Sequence, residues 1–197
     1  MSELEKCMIG NTFNCIDEEL TDMISKSRIM TYQYNSSSSI KEKKSILREL
    51  FGEIGSNVKI DIPFYCDYGK NIFIGNNGII NMNCTFVDCN KIEIGNNVLI
   101  ASNVQIYTAT HPVNAKERLV DEWKENSGQA FFRTYALPVK IEDNVWIGGG
   151  AIILPGVTIG KNSVIGAGSI VTKNIPTNCV AVGNPCRVIR KLNENRE

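Results

Sequence analysis

The stretch WIGGGAIILPGVTIGKNSVIGAGSIVTKNIP, Trp146–Pro176, decides the fold. Within it Ile147, Ile153, Ile159, Ile165 and Val171 fall every six residues, and Ile141 extends the series upstream. Small, polar and turn-forming residues stand between them. Neither the helical period of about 3.6 nor the strand period of 2 yields six alone. A short extended run followed by a turn does, because it makes one flat face. Three such faces close a triangular coil of about 18 residues, and stacked coils make a parallel β-solenoid with the aliphatic residue of each hexad pointing inward. Asparagine and glycine suit the corners because left-handed backbone costs them little. A sandwich of antiparallel hairpins would not hold a six-residue register.

The same hexad recurs upstream, at Ile54 (IGSNVK), Ile74 (IGNNGI), Ile80 (INMNCT), Ile94 (IGNNVL) and Ile100 (IASNVQ). The spacing therefore predicts a solenoid over 53–185. Its register slips by two residues near Ile92 and Ile94, and it breaks after Ile106 until about Val139. That break predicts an extruded loop at about 108–138. Residues 1–52 read differently: SELE at Ser2–Glu5 and SIKE at Ser39–Glu42 are capping-box spellings, and Leu20, Ile24 and Ser27 share a helical face. Two or three short helices are expected there, and a tail over 186–197.

Lysine plus arginine equals aspartate plus glutamate, 21 each. A balanced chain does not bind nucleic acid or an anionic membrane through bulk charge. No run of 18 apolar residues exists to span a bilayer, and the start MSELEKCMIGN is too acidic and too short of apolar residues for a signal peptide. The seven cysteines include no CxxC pair. They are expected as reduced thiols of a cytoplasmic protein.

The interrupting loop holds the chain's only histidine, His111, in TATHP. It stands where a rigid repeat gives way to a loop, which is where function concentrates. Pro112 stiffens its exit. Histidine is also the side chain whose ordinary pKa suits proton transfer near neutral pH. One histidine excludes a three-histidine zinc site, and no other cluster has metal-ligand spacing, so no metal is expected. Cys84 and Cys89 lie near by in sequence but are not expected to carry an acyl group.

Read in order, CDYGKNIFIGNN, INMNCTFVD, YTATHP, VWIGGGAIILPGVTIGKNSVIGAGSIVTKNIP and VGNPCRVIRKL resemble the motifs of the maltose and galactoside O-acetyltransferases. The resemblance spans nearly the whole chain. It implies a left-handed parallel β-helix, a homotrimer with active sites between subunits, and acetyl-coenzyme A as donor. On the acceptor side, His111 resembles the catalytic base and Asn81 the asparagine that assists the transition state. Asp67 matches an acceptor contact, and Asp88 is a second candidate. Cys15 and Cys89 stand where some galactoside enzymes carry aspartate, which leaves the acceptor open. On the donor side, Gly149 and Ala167 would admit the pantetheine arm. Thr172, Lys173, Arg187 and Arg190 would meet the nucleotide, and Trp146 marks the groove. The loop after His111 is longer than is usual in the family. Its Trp123, Phe131 and Phe132 would wall the acceptor pocket or pack, with packing favoured for at least one. The expected activity is acetyl transfer to a hydroxyl of a small sugar or glycoside, with His111 as base and no covalent intermediate. Another acceptor, such as an amino sugar, a polysaccharide unit or an antibiotic, and a non-catalytic scaffold are the alternatives.

Overall fold

The computed structural model describes residues 1–192. The hexads form a parallel β-solenoid of triangular section. Its first face stacks the strands Glu53–Ile54, Ile72–Ile74, Ile92–Ile94, Val139–Ile141 and Thr158–Ile159. Its third face stacks Phe64–Cys66, Cys84–Val87, Gln105–Tyr107, Ile152–Ile153 and Ile170–Val171. The second face is the longest. It runs from Lys59–Ile60 through Ile79–Ile80, Leu99–Ile100, Trp146–Ile147 and Val164–Ile165 to Cys179–Val182, and ends on Arg187–Lys191.

Every pairing between successive coils is parallel, and each sets inward residue on inward residue. Ile60, Ile80, Ile100, Ile147, Ile165 and Ala181 make one inward column, and all are buried. Cys66, Phe86, Ile106, Ile153 and Val171 make another. Burying an isoleucine in such a column contributes about 2 kcal/mol. The corner between the first and second faces is an asparagine ladder. Asn57, Asn77, Asn97, Asn144, Asn162 and Asn178 all adopt positive φ. Each carboxamide donates to the next at 2.8–3.0 Å. The rung from Asn97 to Asn144 spans 47 positions, so the coil stack closes beneath the extruded loop without losing register. Gly148 shows how tightly the corners stack, because a Cβ there would fall 2.5 Å from the Ala167 nitrogen.

Ladder rungs are 20 residues apart in the first coils and 18 in a later one. The difference lies wholly at the corner between the third and first faces. There five residues, 67–71, join Cys66 to Ile72, where three, 154–156, join Ile153 to Val157 in register. Asp88 holds this wider corner. Its Oδ1 accepts the backbone N–H groups of Asp67 and Tyr68 at 3.0 and 2.9 Å, and its Oδ2 accepts that of Asn71 at 3.3 Å. Asp88 is fully buried. Burial pushes its carboxyl up to about 7, with the N–H bonds from Tyr68 and Asp67 pulling the other way. This corrects the expectation of Asp88 as an acceptor contact, since its oxygens are spent on the main chain and face inward.

Both ends of the prism are covered. α1 (Glu3–Met8), α2 (Glu18–Ser36) and α3 (Ile40–Leu50) precede the first coil. Ser2 and Glu5 form the capping box, and Ser39 caps α3 by accepting from the Glu42 N–H. α2 is a single helix of 19 residues, longer than the short helices expected. Tyr34 donates to the Ile60 carbonyl at 2.6 Å, and the Asn35 amide pairs in both directions with the Phe64 backbone at 2.9 Å, so α2 satisfies the open strand edge. Phe51 meets Phe64 edge-on at 5.8 Å and plugs the interior. At the far end the segment expected as a tail turns back, and Arg187–Lys191 pairs antiparallel with Cys179–Val182. An antiparallel strand ends the repeat because it cannot template another coil. Residues 193–197 of that expected tail lie outside the described residues.

Replacing Asp88 with alanine would leave two or three buried N–H groups unpaired. The Asp88→Ala variant is expected to lose about 3 kcal/mol in urea unfolding; a variant as stable as the parent would show that Asp88 does not hold the corner.

Candidate active site

After the strand Gln105–Tyr107 the chain leaves the prism through a two-stranded antiparallel ribbon, in which Ala109 faces Ala136 and Thr110 faces Tyr135. That register sets His111 against Thr134, one step further out. His111 Nδ1 lies 2.9 Å from the Arg133 carbonyl oxygen and 3.3 Å from Thr134 Oγ1. A carbonyl only accepts, so Nδ1 carries the hydrogen and shares it between the two oxygens. The neutral ring is then left with a bare Nε2, the form a proton acceptor needs. Phe132 stands perpendicular to the imidazole with centroids 5.1 Å apart, and the ring remains exposed. The geometry is built by Arg133 and Thr134, neither of which the sequence singles out. They lie 22 and 23 positions away, and only the ribbon register brings them to His111.

The N-terminal segment fastens this outcrop. Phe13 pairs antiparallel with Thr134. The Asn90 amide donates to the carbonyls of Cys7 and Ala136 at 2.9 and 3.0 Å. Asn14 donates to the Gly128 carbonyl at 2.8 Å and accepts the Ala130 N–H at 3.3 Å. Cys7, Phe13, Leu20, Tyr68, Cys89 and Ala136 form a small core of their own, and Cys15 packs partly buried against it.

The candidate residues sort onto two different edges of the prism. The edge between the third and first faces carries Asp67 in the first coil, Asp88 and Cys89 in the second, His111 in the third, and the exposed Thr172 and Lys173 in a later one. Asp67 is partly open, and its Oδ2 faces the Cys89 thiol at 3.9 Å. Burial holds its carboxyl above the usual range, opposed by the Arg28 charge. Cys89 is buried, and so is Cys84, with burial pushing both thiols up. Neither is an accessible thiolate nucleophile.

The edge between the second and third faces carries the others. Asn81 follows the strand Ile79–Ile80, and its partly exposed side chain stands apart from the ladder rung on that edge, which joins Asn83 to Asn103. Gly149 and Ala167 lie on the same edge in successive coils, and the Gly149 carbonyl accepts the Gly168 N–H at 2.9 Å. Arg187 faces Val182 and continues that line, while Arg190 faces Val180 on the second face. Trp146 projects outward beside the edge, in register with Leu99. From the strand level of Asn81 to that of Arg187 is five spacings, about 24 Å at ~4.8 Å per strand. Asn81 precedes the third-face strand of its coil, whereas His111 follows that of the next. One chain therefore holds them at opposite edges. Among the described residues no group of three or more histidine, cysteine or carboxylate side chains gathers to hold a metal.

Comparison with known proteins gives these edges a context. Residues 138–173 match the model described as bacterial transferase hexapeptide (six repeats), and residues 6–55 match the maltose acetyltransferase hexapeptide capping motif. The galactoside O-acetyltransferase of Escherichia coli strain K12 is 42% identical over 196 residues, covering 98% of this chain and 91% of that protein. A crystal structure of a maltose O-acetyltransferase from Clostridium difficile 630 superposes with a TM-score of 0.89 at 48% identity, over 98% of this chain and 99% of that one. A galactoside acetyltransferase solved in complex with coenzyme A gives 0.87 at 41% identity, over 98% and 92%. The N-terminal cap, the hexapeptide solenoid and full-length identity above two in five agree, and the chain belongs to the maltose and galactoside O-acetyltransferase family of hexapeptide-repeat transferases.

Proposed function

We propose that the protein transfers an acetyl group from acetyl-coenzyme A to a hydroxyl of a small sugar or glycoside, in sites formed between the protomers of a homotrimer. The observation that carries this reading is the contact of His111 Nδ1 with the Arg133 carbonyl, which directs Nε2 to accept, on one edge of the prism, set against Asn81 and a line of small residues on another. A related galactoside acetyltransferase binds coenzyme A, which supports the choice of donor.

The step is direct. The acceptor hydroxyl gives its proton to His111 Nε2 as its oxygen attacks the thioester carbonyl carbon. The imidazolium that forms is stabilised through Nδ1–H by the Arg133 carbonyl and Thr134. The Asn81 amide donates to the developing oxyanion. The C–S bond then breaks, the leaving thiolate takes the proton back, and the products are the acetyl ester and coenzyme A. The burial and raised thiols of Cys84 and Cys89 argue against an acyl-enzyme on either of them.

The donor would lie along the edge that carries Asn81, Gly149, Ala167 and Arg187, with Trp146 beside its arm. Its anionic end would meet Arg187 and Arg190 from one protomer and Thr172 and Lys173 from the next. Asp67, with Cys15 and Cys89 behind it, would border the acceptor. Because the two edges differ, their contact is head-to-tail, and such a contact makes a ring where its rotation closes. The outward column of Ile79, Leu99 and Trp146, 41%, 46% and 52% exposed, supplies apolar surface beside the edge for such a seam. No helix among the described residues is long and apolar enough to cross a membrane. All seven cysteines are free, which fits a reducing, cytoplasmic setting.

A thiol-release assay with acetyl-coenzyme A tests the reading. His111→Ala is expected to lower kcat by about 100-fold or more, and near-parental turnover would overturn the assignment. Asn81→Ala is expected to lower kcat on the order of 100-fold with little change in the donor KM. Arg187→Ala is expected to raise the KM for acetyl-coenzyme A about 10-fold while sparing the acceptor KM; an unchanged donor KM would remove Arg187 from the donor site.

A further inference from the structure

The turn that follows His111 is gripped by a side chain further along it. Pro112 has no N–H to give a ladder bond, and the chain passes through Val113 and Asn114 into the short helix α4 (Ala115–Arg118). Arg118, half-buried at the end of that helix, reaches back. Its Nη1 donates to the Pro112 carbonyl at 3.2 Å and to the Val113 carbonyl at 3.0 Å. A second arginine faces it across the loop stem. Arg133 N donates to the Arg118 carbonyl at 2.6 Å, and Arg133 Nη1 donates to the carbonyls of Glu117 and Leu119 at 3.0 and 2.5 Å. The ion pairs among the described residues involve neither arginine, so both guanidiniums are committed to main-chain carbonyls. Phe132 backs the imidazole, Phe131 meets Phe132 at 4.8 Å and Trp123 meets Phe131 at 6.1 Å, each pair edge-to-face, which braces the rest of the loop.

These bonds close a circuit. From His111 the main chain runs to Pro112 and Val113, whose carbonyls hold the Arg118 side chain. The Arg118 carbonyl holds the Arg133 N–H, and the Arg133 carbonyl holds His111 Nδ1 at 2.9 Å. We infer that Arg118 is a positioning residue for the transfer step: its guanidinium closes this circuit, and the circuit keeps the imidazole turned so that Nε2 meets the acceptor hydroxyl. The inference rests on the reading of His111 as the base. In water a histidine side chain favours the Nε2–H form, so the Nδ1–H form that the step needs has to be imposed by a partner held in place. That partner is the Arg133 peptide, and Arg118 fixes it at both ends of the turn. A charged donor binds a carbonyl more strongly than a neutral one. Without it, the Pro112 and Val113 carbonyls turn to water, the turn over 112–118 is released, and the Arg133 carbonyl no longer meets Nδ1 at one fixed place. A misplacement of about 1 Å in a reacting group lowers a rate by up to about 100-fold.

His111 is the chain's only histidine, so its ring signals in 15N NMR need no assignment. The untagged full chain and its Arg118→Met and Arg118→Lys variants are compared in two ways. One is the thiol-release assay with acetyl-coenzyme A and p-nitrophenyl β-galactoside. The other is 15N NMR of histidine-labelled protein at a pH where the ring is neutral. The parent is expected in the Nδ1–H form. Arg118→Met is expected to lower kcat about 10-fold or more while leaving both KM values within about 2-fold, and to move the ring toward the Nε2–H form. Both bonds come from one nitrogen of Arg118, so the single nitrogen of a lysine can replace it. Arg118→Lys is therefore expected to regain the parental tautomer and most of the parental kcat. The inference is overturned if Arg118→Met keeps the parental kcat, if its ring stays wholly in the Nδ1–H form, if both KM values rise along with the loss of rate, or if lysine restores nothing. A methionine variant that fails to fold overturns it as well, since Arg118 would then serve the fold. A parent that is inactive on this acceptor, or whose ring carries its hydrogen on Nε2, defeats the function proposed above and this inference together, whereas an active parent in the Nδ1–H form with an insensitive variant defeats the inference alone.

Discussion

The structure depends on one repeated contact, the main-chain pairing of each coil with the next, kept in register at its corners by stacked asparagines. A solenoid coil cannot bury its apolar face alone, so each rung is stable only if the next lies directly on it. The severest demand falls where the chain leaves the prism for the loop at about 108–138. Asn97 reaches Asn144 across that gap at 2.9 Å, and Ile94 and Ile100 pair with Ile141 and Ile147 as though nothing intervened. Because the scaffold does not yield, the loop leaves from a fixed point at a fixed angle, and the imidazole it carries is positioned by the prism.

From that rigidity the division of labour follows. A triangular coil has three edges, and the residues of interest occupy two. Asn81, Gly149, Ala167 and Arg187 follow one, while Asp67, His111, Thr172 and Lys173 follow another. Along the axis the acceptor candidates occupy the early coils and the donor candidates the later ones. A single prism cannot fold one edge onto another, so the proposed chemistry, which needs both, requires two prisms side by side.

Much of this is legible in the sequence, and the limits have physical causes. The series Ile141–Val171 is clear because all three corners of a later coil are equally short. The register slip near Ile92 and Ile94 reflects a wider corner of five residues, 87–91, stacked on the one at 67–71 whose N–H groups Asp88 ties. A hexad pattern records inward aliphatic residues and says nothing of a buried carboxylate behind a turn, so the sequence leaves Asp88 looking like an acceptor contact. The break after Ile106 falls where the chain leaves the prism for the ribbon that carries His111. The partners of His111 are not legible. Arg133 contributes a backbone carbonyl, which any residue supplies, and Thr134 arrives through the pairing of Thr110 with Tyr135. Asn14 and Asn90, which stitch the N-terminal segment to the loop, carry no local signal either, since their bonds join segments up to 116 positions apart.

The most direct measurement is subunit complementation. His111→Ala and Asn81→Ala chains, each nearly silent alone, are co-expressed with different tags and purified as mixed assemblies. If one protomer presents the imidazole and its neighbour the amide, each mixed three-membered ring holds one intact site of three and returns about a third of parental activity. If the mixed assemblies stay as silent as the two variants apart, both groups act within one chain, and a site shared between edges of neighbouring prisms is contradicted.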